Sequence, residues 1–349
     1  MSRLLLQTIA REPTPRRPLW IMRQAGRYLP EYRELRKKYA FKELAGSADL
    51  STEVTLMPIN RFPLDAAIVF ADIMSPLPAI GVDFDFDPGP VVENPIRDQA
   101  GVDALGSCHP DEIAPEVMTA LKQVRAELPD ETALLGFCGA PWTLAAYLVE
   151  GRGKKDFPTL RAFAASQPKA LDDLLAKLAD LMVHYLINQA RAGADAVQIF
   201  DSWAGVLSLP DWDRMIRPHL ETMLEALGNA GIPRILFVQN APHLVESYAM
   251  LPAEVLACDW RVDLGDIQNE YQDRKAVQGN IDPAILLGGY ETTRTATRNL
   301  LDNVNPVGHI VNLGHGILPE TPIESVEAMI EAVHNEGDQE NDQPTRTGE

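Results

Sequence analysis

Residues 196–203 read Ala196-Val197-Gln198-Ile199-Phe200-Asp201-Ser202-Trp203. The first five form a short, mostly apolar and partly β-branched run, and the next three are a carboxylate, a hydroxyl and an indole. Immediately upstream, Leu171–Ala192 repeats apolar residues at Leu174, Leu175, Leu178, Leu181, Met182 and Tyr185, the spacing of a helix with one buried face. A helix feeding a continuous apolar strand is the unit of a parallel sheet covered on both sides. The pattern recurs along the chain. Seven further runs are Leu19–Met22, Ala67–Phe70, Leu134–Phe137, Ile235–Val238, Val255–Ala257, Ala276–Gln278 and His309–Leu313. Eight such strands within about 330 residues predict an α/β fold, a (β/α)8 TIM barrel with insertions. A doubly wound open sheet is the alternative, but no Gly-x-Gly-x-x-Gly or Walker sequence follows any run.

Between Phe70 and Leu134 the chain is too long for one crossover helix. Its Pro76, Pro78, Gly81, Pro88, Gly89, Pro90 and Pro95 predict a loop or a β excursion before a helix at Pro110–Leu128. Near the end, Thr321 is placed to cap a helix, with Pro322 in its first position and Glu324 completing a capping box. Residues 1–335 are read as one domain. Residues 336–349, acidic and without an apolar residue to bury, are read as a disordered tail.

Chemistry-bearing residues follow nearly every run: Arg23, Asp72, Gly139 to Trp142, Asp201 to Trp203, Gln239-Asn240, Asp259-Trp260, Gly279-Asn280, and Gly314-His315-Gly316. Singly, each is an ordinary turn or cap residue. In a barrel they converge on the C-terminal face, where active sites of this architecture lie. Asp72 stands out because its neighbours are apolar, and a buried carboxylate needs donors or a cation.

Charge narrows the ligand. The chain has 31 Lys and Arg against 50 Asp and Glu, a net of −19. Residues 1–42 nevertheless carry eleven basic and three acidic residues, leaving −27 for the remainder. Such a protein is a poor general nucleic-acid binder but can hold a compact polyanion at one place. Arg23 and Arg27, on a Gly26-containing turn, offer guanidinium forks for carboxylates or phosphates; an arginine pair is equally at home on a solvated surface. Three widely separated cysteines, Cys108, Cys138 and Cys258, suggest neither a disulfide framework nor zinc and suit a reducing cytoplasm. The N-terminal apolar run is too short for a signal peptide, and no stretch approaches a membrane span.

Two long motifs carry a resemblance. Met22-Arg23-Gln24-Ala25-Gly26-Arg27-Tyr28-Leu29-Pro30 and Gly136-Phe137-Cys138-Gly139-Ala140-Pro141-Trp142-Thr143-Leu144 resemble the signatures of the uroporphyrinogen decarboxylase family. Phe62 to Asp72, Gln278 to Pro283 and Asn312 to Gly316 are similar to further parts of it. The resemblance implies a cofactor-free, metal-free, homodimeric barrel. Such an enzyme removes carbon dioxide from the four acetates of uroporphyrinogen III, giving coproporphyrinogen III for haem or chlorophyll. It implies that Arg23, Arg27 and Arg36 contact substrate carboxylates, with Gln24, Ala25 and Gly26 in the same binding turn. It implies that Asp72 binds the pyrrole nitrogens, that Tyr147, Ser202 and His315 line the cleft, and that Phe137 and Gly139 help shape it. Asp72, Arg23 and Tyr147 are the catalytic candidates.

The substrate suits the residues. Uroporphyrinogen is an octa-acid, and the strongly basic segment of this chain is the one holding Arg23. A pyrrole also supplies the electron sink that an isolated acetate lacks, so neither metal nor pyridoxal phosphate is required. Departures from the family pattern lie at 75–78, 83–90, 151–155 and 239–242, mostly at the cleft rim. A corrinoid-dependent methyltransferase would need a zinc-bound thiolate, but His243 is followed by Leu244-Val245 and Cys258 stands alone. A non-catalytic tetrapyrrole carrier would need the arginines but not Asp72 or Tyr147.

Overall fold

The computed structural model describes residues 3–87 and 89–336. Seven parallel strands form one sheet in the order β1 (Ala66–Ile68), β4 (Ala133–Gly139), β5 (Ala196–Asp201), β6 (Arg234–Val238), β7 (Val255–Ala257), β8 (Ala276–Ile281) and β9 (His309–Leu313). The remaining strands, β2 (Phe84–Phe86) and β3 (Pro90–Val92), form an antiparallel hairpin inside the long 70–134 connection, the β excursion that its composition predicts.

Leu19–Met22 is not a ladder strand, yet it closes the barrel. Leu19 bridges Val311 of β9 in parallel, and its carbonyl accepts the Asp65 N–H at 2.9 Å just before β1. Pro18 cannot donate. Trp20 N–H reaches the Val311 carbonyl at 3.4 Å, and the remaining amides of the run turn to side chains: Leu19 N–H to Asp65 Oδ2 (2.8 Å), Ile21 N–H to Gln24 Oε1 (3.0 Å) and Met22 N–H to Asn312 Oδ1 (2.9 Å). With its donors satisfied this way, the segment fills the gap between β9 and β1 without a regular register.

Alternate residues of the strands fill the barrel: Ala66, Ala133, Leu135, Ala196, Ile235, Phe237, Val255, Ala257, Ala276 and Ile310, packed with Trp20 and Met22. The alanines leave room for the Trp20 indole, whose N–H donates to Gln278 Oε1 at 3.0 Å; Gln278 in turn donates to Gln198 at 3.0 Å. Leu5 and Ile9 of helix Leu4–Ile9 join this core. Arg3 beside that helix pairs with Asp195 ahead of β5, so the helix plugs the N-terminal end. The opposite end stays open for a site. Outside the sheet, helix Pro168–Arg191 buries the apolar face that its periodicity predicts, from Leu171 to Tyr185.

Three expectations need correction. Pro110–Leu128 is a short 3₁₀ turn, Pro110–Glu112, followed by helix Pro115–Glu127, because Pro115 disfavours a helical residue before it and Ala114 takes φ +44°. The last helix is Ile323–His334, with the Pro322 carbonyl accepting the Ser325 N–H; Thr321 Oγ1 is buried and has no partner among the described residues, so it does not cap this helix. Glu336, assigned to the tail, belongs to the fold: its carboxylate takes the Arg17 backbone N–H at 3.0 Å and the Arg17 guanidinium. The rest of the expected tail, 337–349, lies outside the described residues. No helix among the described residues is long and apolar enough to cross a membrane.

Candidate active site

The loop after Met22 is fixed before it is functional. Arg23 has φ +63°, a left-handed conformation that costs energy for a residue with a Cβ. Gln24 sustains it: its buried amide accepts the Ile21 N–H at 3.0 Å and donates to the Ala66 carbonyl at 3.0 Å, tying the loop to β1. The buried Gln24 side chain thus acts as a clip that shapes the turn. A Cβ on Gly26 would stand 2.8 Å from the Arg23 carbonyl oxygen, so only glycine fits there. Ala25 and Gly26 remain partly accessible.

The guanidinium of Arg23 projects over Gly316, where a Cβ would overlap Arg23 Cδ. It makes no hydrogen bond to protein among the described residues. Burial among surrounding walls lowers its pKa, Tyr147 and Asp72 oppose that, and Arg27 reinforces it. The side chain is nevertheless open to cleft solvent. It stands in a concavity rather than in the core.

Asp72 is held four residues past β1. Its Oδ1 accepts the Met74 N–H at 2.9 Å, and its own N–H donates to Ser75 Oγ at 3.2 Å. Burial raises its pKa from 3.8 to about 6, against the lowering effects of Met74 N–H and Arg23. At neutral pH it is ionised but only by a modest margin, and it has acceptor capacity to spare. Tyr147, in helix Pro141–Glu150, has its pKa raised, first by burial and then by Asp72. Its hydroxyl stays protonated and its ring packs edge-on against Trp203, centroids 6.4 Å apart.

His315 lies across Phe237, with ring centroids 6.5 Å apart. Burial first, then Arg23, lowers its pKa to about 4. It is a neutral imidazole at pH 7 and no imidazolium acid. Phe237 continues through Phe200 (5.9 Å) to Phe137 (5.8 Å), an aromatic row crossing the ends of β6, β5 and β4. Phe137 thus shapes the floor. Gly139 is buried, and a Cβ there would stand 2.9 Å from Leu144 Cδ2, so it provides the space into which Leu144 packs.

Ser202 sits on the next strand end. Its N–H donates to Thr143 Oγ1 and Thr143 donates to Asp201 Oδ1, both at 2.9 Å. Arg27 is exposed beside Arg23. Arg36 lies on the last turn of helix Pro30–Arg36 and donates to the Tyr39 carbonyl at 2.5 Å. The structure therefore gathers Arg23, Arg27, Asp72, Tyr147 and His315 electrostatically, and Arg36 is not among the charges that shift Arg23, Asp72, Tyr147 or His315.

The family model for Uroporphyrinogen decarboxylase (URO-D) matches residues 2–336. The chain belongs to that family. A curated uroporphyrinogen decarboxylase of Syntrophotalea carbinolica is 42% identical over 323 residues, 92% of this chain and 94% of the relative. Another, from Carboxydothermus hydrogenoformans, is 42% identical over 96% of both chains. A solved methyltransferase from Methanosarcina mazei superposes with TM-score 0.81 over 96% of this chain and 99% of its own, at 18% identity. At that identity the likeness shows the barrel alone.

Arg261, two residues past Asp259, is not among the residues that the sequence singles out, yet its charge also lowers the His315 pKa. It follows a strand end that carries a carboxylate and an indole.

Proposed function

We propose that this chain is a uroporphyrinogen decarboxylase, a carboxy-lyase that converts the four acetate side chains of uroporphyrinogen III to methyls. The observation that carries this reading is Asp72. It is an ionised carboxylate with free acceptor capacity, set in apolar surroundings at the open end of a barrel and flanked by an unengaged arginine and a protonated phenol.

The chemistry follows from those groups. Protonating a pyrrole α-carbon makes an iminium-like cation conjugated to the acetate. Loss of carbon dioxide returns the electron pair to the ring as an exocyclic methylene, a second proton delivered to that carbon makes the methyl, and release of the first proton from the α-carbon restores the aromatic pyrrole. Each acetate so consumes one net proton and releases one carbon dioxide. The four pyrrole N–H groups of a puckered ring can all donate toward Asp72, whose charge stabilises the cation where it forms. A preorganised charge in a low-dielectric site does this without solvent rearrangement. Arg23, Arg27 and Arg36 orient substrate carboxylates. Tyr147 and Ser202 donate hydroxyls, and His315 offers a neutral imidazole.

Neither His315 nor Tyr147 is a ready acid at pH 7, given the directions of their shifts. An arginine releases a proton reluctantly. The first proton then comes from a water or a substrate carboxylic acid held by Arg23. The chain up to Glu336 acts as one catalytic unit, in a homodimer in the cytoplasm; the family resemblance supports the dimer, and the free thiols suit a reducing compartment. Sedimentation of the purified chain checks the dimer. Anaerobic incubation of metal-stripped protein with reduced uroporphyrinogen III, followed by separation by carboxyl count, checks the activity. A ladder from seven to four carboxylates is expected. Unchanged octa-acid from folded protein leaves the carrier reading in its place.

A further inference from the structure

The arginines of this chain divide by how much of the guanidinium the protein uses. Arg17 binds Glu336 and the Leu301 and Val304 carbonyls. Arg125 binds Asp195 and the Thr132, Leu128 and Pro129 carbonyls. Arg234 binds Glu254 and the Leu224 carbonyl. These are structural, with forks filled by the fold. Arg261 differs. Among the described residues its guanidinium is engaged only through Nη1, to Asp259 Oδ2 at 2.9 Å, out of five donors. Its side chain is 38% exposed, against 3% for Asp259.

Asp259 does not need that guanidinium. Its Oδ1 accepts the Arg261 N–H at 2.9 Å and its Oδ2 the Asn240 N–H at 2.5 Å. The carboxylate instead positions the arginine. So does Trp260: the guanidinium carbon lies 4.4 Å from the indole centroid, a stacked geometry that fixes the plane of the fork. Trp260 is seated on Gly314, where a Cβ would be 2.7 Å from the indole residue's backbone nitrogen and 2.9 Å from its Cε3. Gly316, two residues on, is the seat of Arg23. The two glycines bracketing His315 therefore each carry the approach of one arginine residue or its platform. Both cations depress the His315 pKa, and Asp259 opposes them as the one acidic contributor. The His315 end of the cleft holds two preoriented guanidinium groups, each with unspent donors.

We propose that Arg261 is a further substrate-binding residue, taking a carboxylate substituent of the tetrapyrrole at the His315 end of the cleft. The assignment rests on the function proposed above. It deepens that reading by giving the octa-acid a second fixed anchor, on an element distant in sequence from the basic N-terminal segment.

Arg261→Gln and Arg261→Lys in the full chain test it. With uroporphyrinogen III, Arg261→Gln is expected to raise KM about five- to tenfold, the loss of part of a charge-assisted hydrogen bond, with kcat within about twofold. Its KM should also depend less on salt. Arg261→Lys keeps the charge but not the fork and should fall between. Binding of oxidised uroporphyrin, read by fluorescence, should weaken in parallel. Unchanged KM, porphyrin affinity and salt dependence in both variants would overturn the assignment. So would a fall in kcat and thermal stability at unchanged KM, the mark of a mere support for Asp259. If Arg261→Gln does not fold, an unchanged porphyrin affinity in Arg261→Lys overturns it alone. Absence of turnover in the parent protein would remove the decarboxylase reading, while the porphyrin affinities still decide the Arg261 assignment.

Discussion

Arg23 lies across Gly316, so closely that any side chain at 316 would occupy its place. One residue comes from the first motif of the chain and the other from the turn after the last strand. Their contact sets where the cationic fork stands above Asp72. Gly316→Ala should displace Arg23 without disturbing the sheet. Activity is expected to fall at least about tenfold, the worth of one charged hydrogen bond, with the thermal midpoint within about 2 °C of the parent. Steady-state kinetics and a melting curve check it.

The pH profile reports Asp72. Its folded pKa of about 6 sets an acid limb: kcat/KM should fall as pH drops below that value and the acceptor is protonated. Arg23 lowers the Asp72 pKa, so Arg23→Gln should move the limb to higher pH as well as cut activity about tenfold or more. A profile between pH 5 and 8 for both proteins checks the direction.

The same carboxylate makes stability depend on pH. Its folded pKa is raised above the ordinary 3.8, so the fold prefers the protonated form. The stability from this group is fully present below the unfolded pKa and is lost as pH rises through about 6. Asp72→Asn keeps an acceptor for the Met74 N–H and removes the charge. Its thermal midpoint should exceed the parent's by about 1–3 °C at pH 7.5 and match it near pH 4. Calorimetry at the two pH values checks the sign.

Gln24 predicts differently from its neighbours in the motif. Gln24→Leu removes both buried amide bonds of the clip, leaving the Ile21 N–H and the Ala66 carbonyl unpaired. A loss of about 2–4 kcal/mol is expected, from the cost of two unsatisfied buried groups. Arg27→Ala, at an exposed position, should leave stability unchanged and weaken substrate binding. Chemical denaturation of the two variants separates the roles.

The sequence carried the barrel because continuous apolar runs such as Ala196–Phe200 state burial on both faces. It carried Asp72 because a carboxylate between Ala71 and Ile73 has no cheap reason to be there. Gln24 and Gly139 share motifs with Arg23 and Phe137 yet are buried in the fold; a motif does not say which of its side chains point inward. The sequence missed the irregularity of Leu19–Met22, because side-chain acceptors from Gln24 and Asn312 replace a ladder that an apolar run alone predicts. Arg261 lies 54 residues from His315, whose pKa it lowers, in a chain whose other candidate arginines cluster near the start; closure of the sheet brings the two strand ends to one face.

The central claim is that an anionic Asp72 stabilises the cation formed on the pyrrole. Single-turnover decarboxylation of uroporphyrinogen III by Asp72→Asn, beside the parent enzyme at pH 7, tests it most directly. The account predicts loss of about a hundredfold or more in the rate of appearance of the seven-carboxylate product, removal of one preorganised electrostatic contact, from a protein that is folded and still binds porphyrin. A rate within a few-fold of the parent would contradict it.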